Sequence, residues 1–88
     1  MDEKLLQLLR RIHNGESIFR PEDSSVAALE RFQESAKILK HASDSGLLEE
    51  TFFSRNHSTG KDCYDFIRLK NGLSFRGMQC LENESGNL

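Results

Sequence analysis

Apolar residues recur at three- and four-residue steps in the first half of the chain and at two-residue steps in the second, which predicts helices followed by a β-ribbon. Leu5, Leu8, Leu9 and Ile12 form one stripe, widened by Leu6, and predict an amphipathic helix over residues 2–14. Asp2 and Glu3 place acceptors and negative charge at its start, and Arg10, Arg11 and His13 place positive charge at its end. Asn14-Gly15 supplies a left-handed stop. Ser17-Ile18-Phe19 then reads as a short extended stretch, long enough for one edge pairing. Pro21, Glu22 and Asp23 suit a first helical turn, with Ser24 as an alternative cap, so a second helix is expected from about residue 22 or 24 to 44. Its inner face is Ala28, Leu29, Phe32, Ala36, Leu39 and Ala42, with Val26 and Ile38 at the margins. No Gly or Pro interrupts residues 24–44, which predicts one helix rather than two joined by a turn. Gly46 closes it, and Leu47-Leu48 returns the chain to the core.

Beyond this point the period shortens. Thr51, Phe52 and Phe53 are good strand formers, and residues 63–69 alternate, with Tyr64 and Phe66 on one side and Cys63, Ile67 and Leu69 on the other. Between them, Asn56-His57-Ser58-Thr59-Gly60-Lys61 is polar turn chemistry. Leu73, Phe75, Met78 and Leu81 then fit a short closing helix to about residue 82, and the polar stretch 83–88 reads as a flexible tail. The expected architecture is α+β: two long helices, a β-hairpin and a short closing helix in one domain over residues 1–82.

Length and charge narrow the field. Eighty-eight residues suffice for one small core. Twelve Lys and Arg against fourteen Asp and Glu leave a formal charge of -2, which excludes a dedicated polybasic coat but leaves room for a local basic patch. No apolar run approaches the roughly 18–20 residues of a bilayer span, and the Asp2-Glu3 start is unlike a secretion signal, so a cytoplasmic protein without a membrane partner is expected. The two cysteines, Cys63 and Cys80, read as packed thiols in a reducing compartment, with a bridge between them as the alternative. His13, His41 and His57 stand at no helical metal spacing from one another or from a cysteine. Ser58-Thr59-Gly60-Lys61 lacks the preceding glycine of a phosphate loop, and His57 on a turn has no rigid shell to orient it. Neither catalysis nor a cofactor is expected.

Two passages carry a family resemblance. Residues 38–42 with Ser45-Gly46-Leu47-Leu48-Glu49 are similar to the passage from third helix to first wing strand in winged-helix domains. Residues 64–75, Tyr64-Asp65-Phe66-Ile67-Arg68-Leu69-Lys70-Asn71-Gly72-Leu73-Ser74-Phe75, resemble the second wing strand and its handover to a closing helix. The chain thus looks like a small bacterial or phage winged-helix domain over residues 36–82. It departs from that family in lacking a separate second helix, and in having Lys70 where a capping Thr is usual. The resemblance implies a DNA-binding, transcription-associated role, with double-stranded DNA as the partner.

Two surfaces are candidates for that contact. The polar stripe of the second helix offers Gln33, Lys37, Lys40 and His41, interspersed with Glu30, Glu34 and Asp44. The ribbon and its exit offer Arg55, Lys61, Arg68, Lys70 and Arg76 against Asp62 and Asp65, a local excess suited to phosphate. Phe52 and Phe53 are adjacent in a strand, so one ring is expected outside. Phe52, Phe53 and Tyr64 are therefore candidates for a protein or self-association surface. A docking or dimerisation module without DNA binding is the alternative function.

Overall fold

The computed structural model describes residues 3–56 and 63–85. Three helices, α1 (Glu3–His13), α2 (Val26–Asp44) and α3 (Phe75–Ser85), accompany three strands, β1 (Ile18–Phe19), β2 (Thr51–Asn56) and β3 (Cys63–Leu69). The sheet is antiparallel in the order β1-β3-β2, so the stretch after the first helix does pair, along the free side of the hairpin. The architecture is α+β, as the change of period predicts. Only α2 is long; α1 and α3 have 11 residues each, and α3 ends three residues past the expected point.

Residues 26–44 form one helix, in keeping with the absence of Gly and Pro. Its start is later than the acidic run suggests. Ser25 is the cap: the Ala28 N–H donates to its Oγ at 3.2 Å, and its own N–H donates to Asp23 Oδ1 at 2.7 Å. Ser25 holds the Asp23 carboxyl below its ordinary pKa, first through a side-chain and then through a backbone hydrogen bond. That cap therefore contributes at neutral pH and fades as acid protonates Asp23. Pro21 precedes, and Glu22 and Asp23 lie in, the bends before the helix. At the other end Gly46, at φ 81°, ends the helix: its N–H donates to Ser43 O, and the Leu47 N–H reaches Ala42 O. That turn drops Leu47 and Leu48 into the core, and Leu48 bridges Leu73.

The core is the expected stripe with three exceptions. Leu8, Leu9, Ile12, Phe19, Phe32, Ala36, Leu39, Ala42, Ile67, Leu69 and Leu81 are buried together. Leu29, Phe75 and Met78, read as inward, are exposed instead. The apolar stripe of α2 is narrower than its sequence, and α3 meets the core through Leu81 and the half-buried Cys80. The cap of α3 is Ser74, whose Oγ accepts the Gly77 N–H at 3.1 Å, so the helix does not need a threonine at position 70. Cys63 and Cys80 are free thiols, which removes the bridge between them.

The largest departure lies in β3. Ser54 pairs with Phe66 and Arg55 with Tyr64, so Asp65 has no partner and forms a bulge. The bulge reverses the alternation. Tyr64 turns to the inner face with Ile67 and Leu69, while Phe66 stays outside against Phe52.

Candidate functional site

The bulge places a tyrosine where its backbone needs help. β1 ends at Phe19, opposite Ile67, so the β1-side edge of β3 is bare beyond that point. Gln33 of α2 fills the gap. The Tyr64 N–H donates to Gln33 Oε1 at 2.7 Å, and Gln33 Nε2 donates back to Tyr64 O at 2.8 Å. A side-chain amide carries the same donor and acceptor as a peptide, so Gln33 serves as a one-residue extension of the missing strand. This corrects its reading as a groove-facing residue. An amide on a polar helix stripe gives no hint of such a partner; only the shortness of the Ile18-Phe19 stretch pointed to an unpaired edge. Gln33→Leu is expected to leave both Tyr64 groups unsatisfied at a part-buried site. The loss should be about 1–3 kcal/mol of unfolding free energy in a urea titration.

Tyr64 is thereby fixed as the centre of a strip of rings and cations. The Phe53 ring meets the Tyr64 ring edge-on, with centroids 5.9 Å apart. Lys40 Nζ lies 5.4 Å from the Phe53 centroid, and Arg55 Cζ lies 5.4 Å from the Tyr64 centroid. Arg55 also donates to the Tyr64 hydroxyl at 3.4 Å. The sequence along the strip is Lys40, Phe53, Tyr64, Arg55, crossing from helix to hairpin. Lys37, exposed on α2, continues it one turn before Lys40, and His41, also exposed, follows Lys40 directly on the adjoining helix face. Asp44 pairs with Lys40 at 3.2 Å and is the only carboxylate in contact with the strip among the described residues. The rings lie beneath the charged ends themselves, Nζ of Lys40 and the guanidinium of Arg55, which restrains both cations and reduces the entropy lost on gripping an anion.

The remaining predicted cations are not part of this strip. Arg68 lies on the opposite sheet face, in register with Ile18 on one side and Phe52 on the other. Lys70 sits at the root of the hairpin, paired with Glu50 at 3.4 Å. Arg76 donates to Ser45 O at 3.3 Å and so caps the end of α2. Lys61 lies outside the described residues, as do Asn56's side chain and residues 57–59 of the predicted tip. The single basic wing of the sequence reading is therefore divided: strand parity sends Arg55 inward and Arg68 outward.

The predicted aromatic surface divides as well. Phe53 and Tyr64 are half-buried in the strip, and Phe52 alone is outside, at 58% exposure. With Ile18 and Phe66 it gives the outer sheet face apolar side chains around Arg68, beside a groove of about 480 Å³ walled by Leu29 and Pro21. Among the described residues no group of His, Cys, Asp and Glu could hold a metal, and no helix is long and apolar enough to cross a membrane. No match to the chain was found among protein-family models, curated proteins or solved structures.

Proposed function

We propose that the chain is a small winged-helix-like module that grips the phosphate backbone of duplex DNA through Lys37, Lys40, His41 and Arg55. The observation that carries this reading is the continuous strip from Lys40 to Arg55, in which one cation comes from the helix and one from the hairpin. Phosphate contacts position a protein on the duplex, and the strip offers cations from two elements on a shared aromatic footing for that purpose. The sheet order β1-β3-β2 and the hairpin following α2 support the fold assignment. The single α2 takes the place of the usual helix pair, so the reading is of backbone contact rather than base readout in the major groove.

Fluorescence polarisation with random duplex DNA at low salt tests the proposal. Binding in the micromolar range that weakens steeply with salt is expected. Replacing Lys37, Lys40 and Arg55 together with Ala should flatten the slope of log K against log salt by roughly 0.9 per lost phosphate contact. Stability should change little, because exposed charges contribute about 1 kcal/mol or less each. Absence of binding at tens of micromolar protein overturns the assignment. A docking module is the second reading, favoured by the exposed Phe52 and Ile18 on the other side of the sheet. Its binding would be nearly indifferent to salt.

A further inference from the structure

We infer that β2 is the pairing edge of a symmetric dimer, in which a second copy of this chain adds its own β2 antiparallel to form one six-stranded sheet. This inference is independent of the nucleic-acid reading. β2 is an outer strand of the sheet, and its free edge is defined by the hydrogen-bond pattern of its neighbour. The Lys70 N–H donates to Glu50 O, whereas the Leu69 N–H donates to Ser17 O. Between the bulge and the end of β3, even-numbered residues therefore bond toward β2 and odd-numbered ones toward β1. By register, Phe52 exchanges backbone bonds with Arg68, while Thr51 and Phe53 point their N–H and C=O groups away from the sheet. Such an edge is a template for another strand; β2 carries no proline to block it, and its one inward charge, Arg55, lies over the Tyr64 ring of its own chain.

The strand is complementary to itself. With the two-fold axis at Phe53, Thr51 faces Arg55 of the second copy, and Phe52 faces its Ser54. The only charged residue of β2 thus meets a threonine rather than its own like. On the outer face, Phe52 comes diagonally beside Phe52 of the second copy. The Phe66–Phe52 pair, at 5.9 Å in one chain, becomes a row of four rings. This accounts for a phenylalanine left 58% exposed at the rim of the sheet.

The inner face has room. α2 packs chiefly against β3 rather than β2. Three strand spacings of about 4.8 Å then separate the two copies of β3, placing the two α2 helices about 14 Å apart. Helices pack at about 8–10 Å, so the pair clears without collision. An interface of one short strand and two rings is below the usual stable size, so the dimer is weak.

Sedimentation equilibrium of the full chain should show the average mass rising from monomer toward dimer between about 10 µM and 1 mM. Amide exchange identifies the edge: Phe52 and Ser54 should be protected at all concentrations, Thr51 and Phe53 only at high concentration. Phe52→Lys, which sets like charges beside each other across the axis, should weaken association at least tenfold. A chain that stays monomeric at 1 mM overturns the inference. So does a dimer whose Thr51 and Phe53 amides exchange freely, or one that Phe52→Lys leaves intact. If Phe52→Lys fails to fold, the concentration dependence of the Thr51 and Phe53 amides in the unmodified chain decides alone.

Discussion

Leu39→Ala is expected to lower the unfolding free energy by about 2–5 kcal/mol. Leu39 is fully buried at the middle of α2, the helix that packs on both α1 and β3. Truncation removes the apolar transfer energy of three carbons and leaves a cavity that three elements would have to move to close. Its neighbours on the inner face, Ala36 and Ala42, are too small to lean in and fill it. For a domain of this size each kcal/mol lowers the melting temperature by about 4–8 °C, so calorimetry should record a fall of at least about 8 °C. A negligible shift would mean that the face of α2 turned to the core is a different one. As a contrast, Val26→Ala at the exposed start of the same helix should change stability by about 0.5 kcal/mol or less.

The contrast shows what hydrophobic period conveys and where it stops. Leu5, Leu8, Leu9 and Ile12 repeat on one side of a helix, and Gly15 and Gly46 mark ends that demand positive φ; these are local signals, and the structure follows them. Leu29 fits the stripe equally well yet is exposed, because the stripe's width depends on which neighbours exist, and β1, which lines the same groove as Leu29, is only two residues long. The start of α2 was blurred for a different reason. Asp23, Ser24 and Ser25 are all competent caps, and the choice among them falls to the tertiary position of the helix.

The candidate site was legible as residue types and not as an assembly. Lys40, Arg55, Phe53 and Tyr64 could each be singled out, but their meeting depends on the bulge at Asp65. One unpaired residue inverts the face of everything on its far side, and no alternation pattern announces it. Without it Tyr64 would lie outside with Phe66, and Arg55 would have no ring to rest on. The division of Arg55 from Arg68 followed from the same register, which a sequence fixes only once the strand pairing is known.

Gly77→Ala should destabilise the protein by about 1–3 kcal/mol, the reverse of the usual effect of that change within a helix. Alanine is ordinarily favoured over glycine in a helix interior by about 1 kcal/mol. Here a Cβ would stand 2.0 Å from Leu47 O and 3.0 Å from Leu47 C, both backbone atoms with no rotamer to escape into. Neither side can yield easily. Leu47 is held by its buried side chain and by the bond from its N–H to Ala42 O, while its carbonyl accepts the Ser74 N–H at 3.0 Å. Ser74 in turn caps α3 and donates through Oγ to Gly46 O, tying the first turn of α3 to the end of α2. Relief therefore requires α3 to move outward, breaking the Ser74–Leu47 bond and lifting Leu81 from the core. Amide exchange should accelerate at Ser74 and Gly77 in the variant while the centre of α2 keeps its protection relative to global unfolding. Gln79→Ala, on the exposed side of the same helix, is the matched control and should be near neutral. Stabilisation by Gly77→Ala would show that α3 does not pack against the Leu47 backbone, and with it the docking of the closing helix would have to be redrawn.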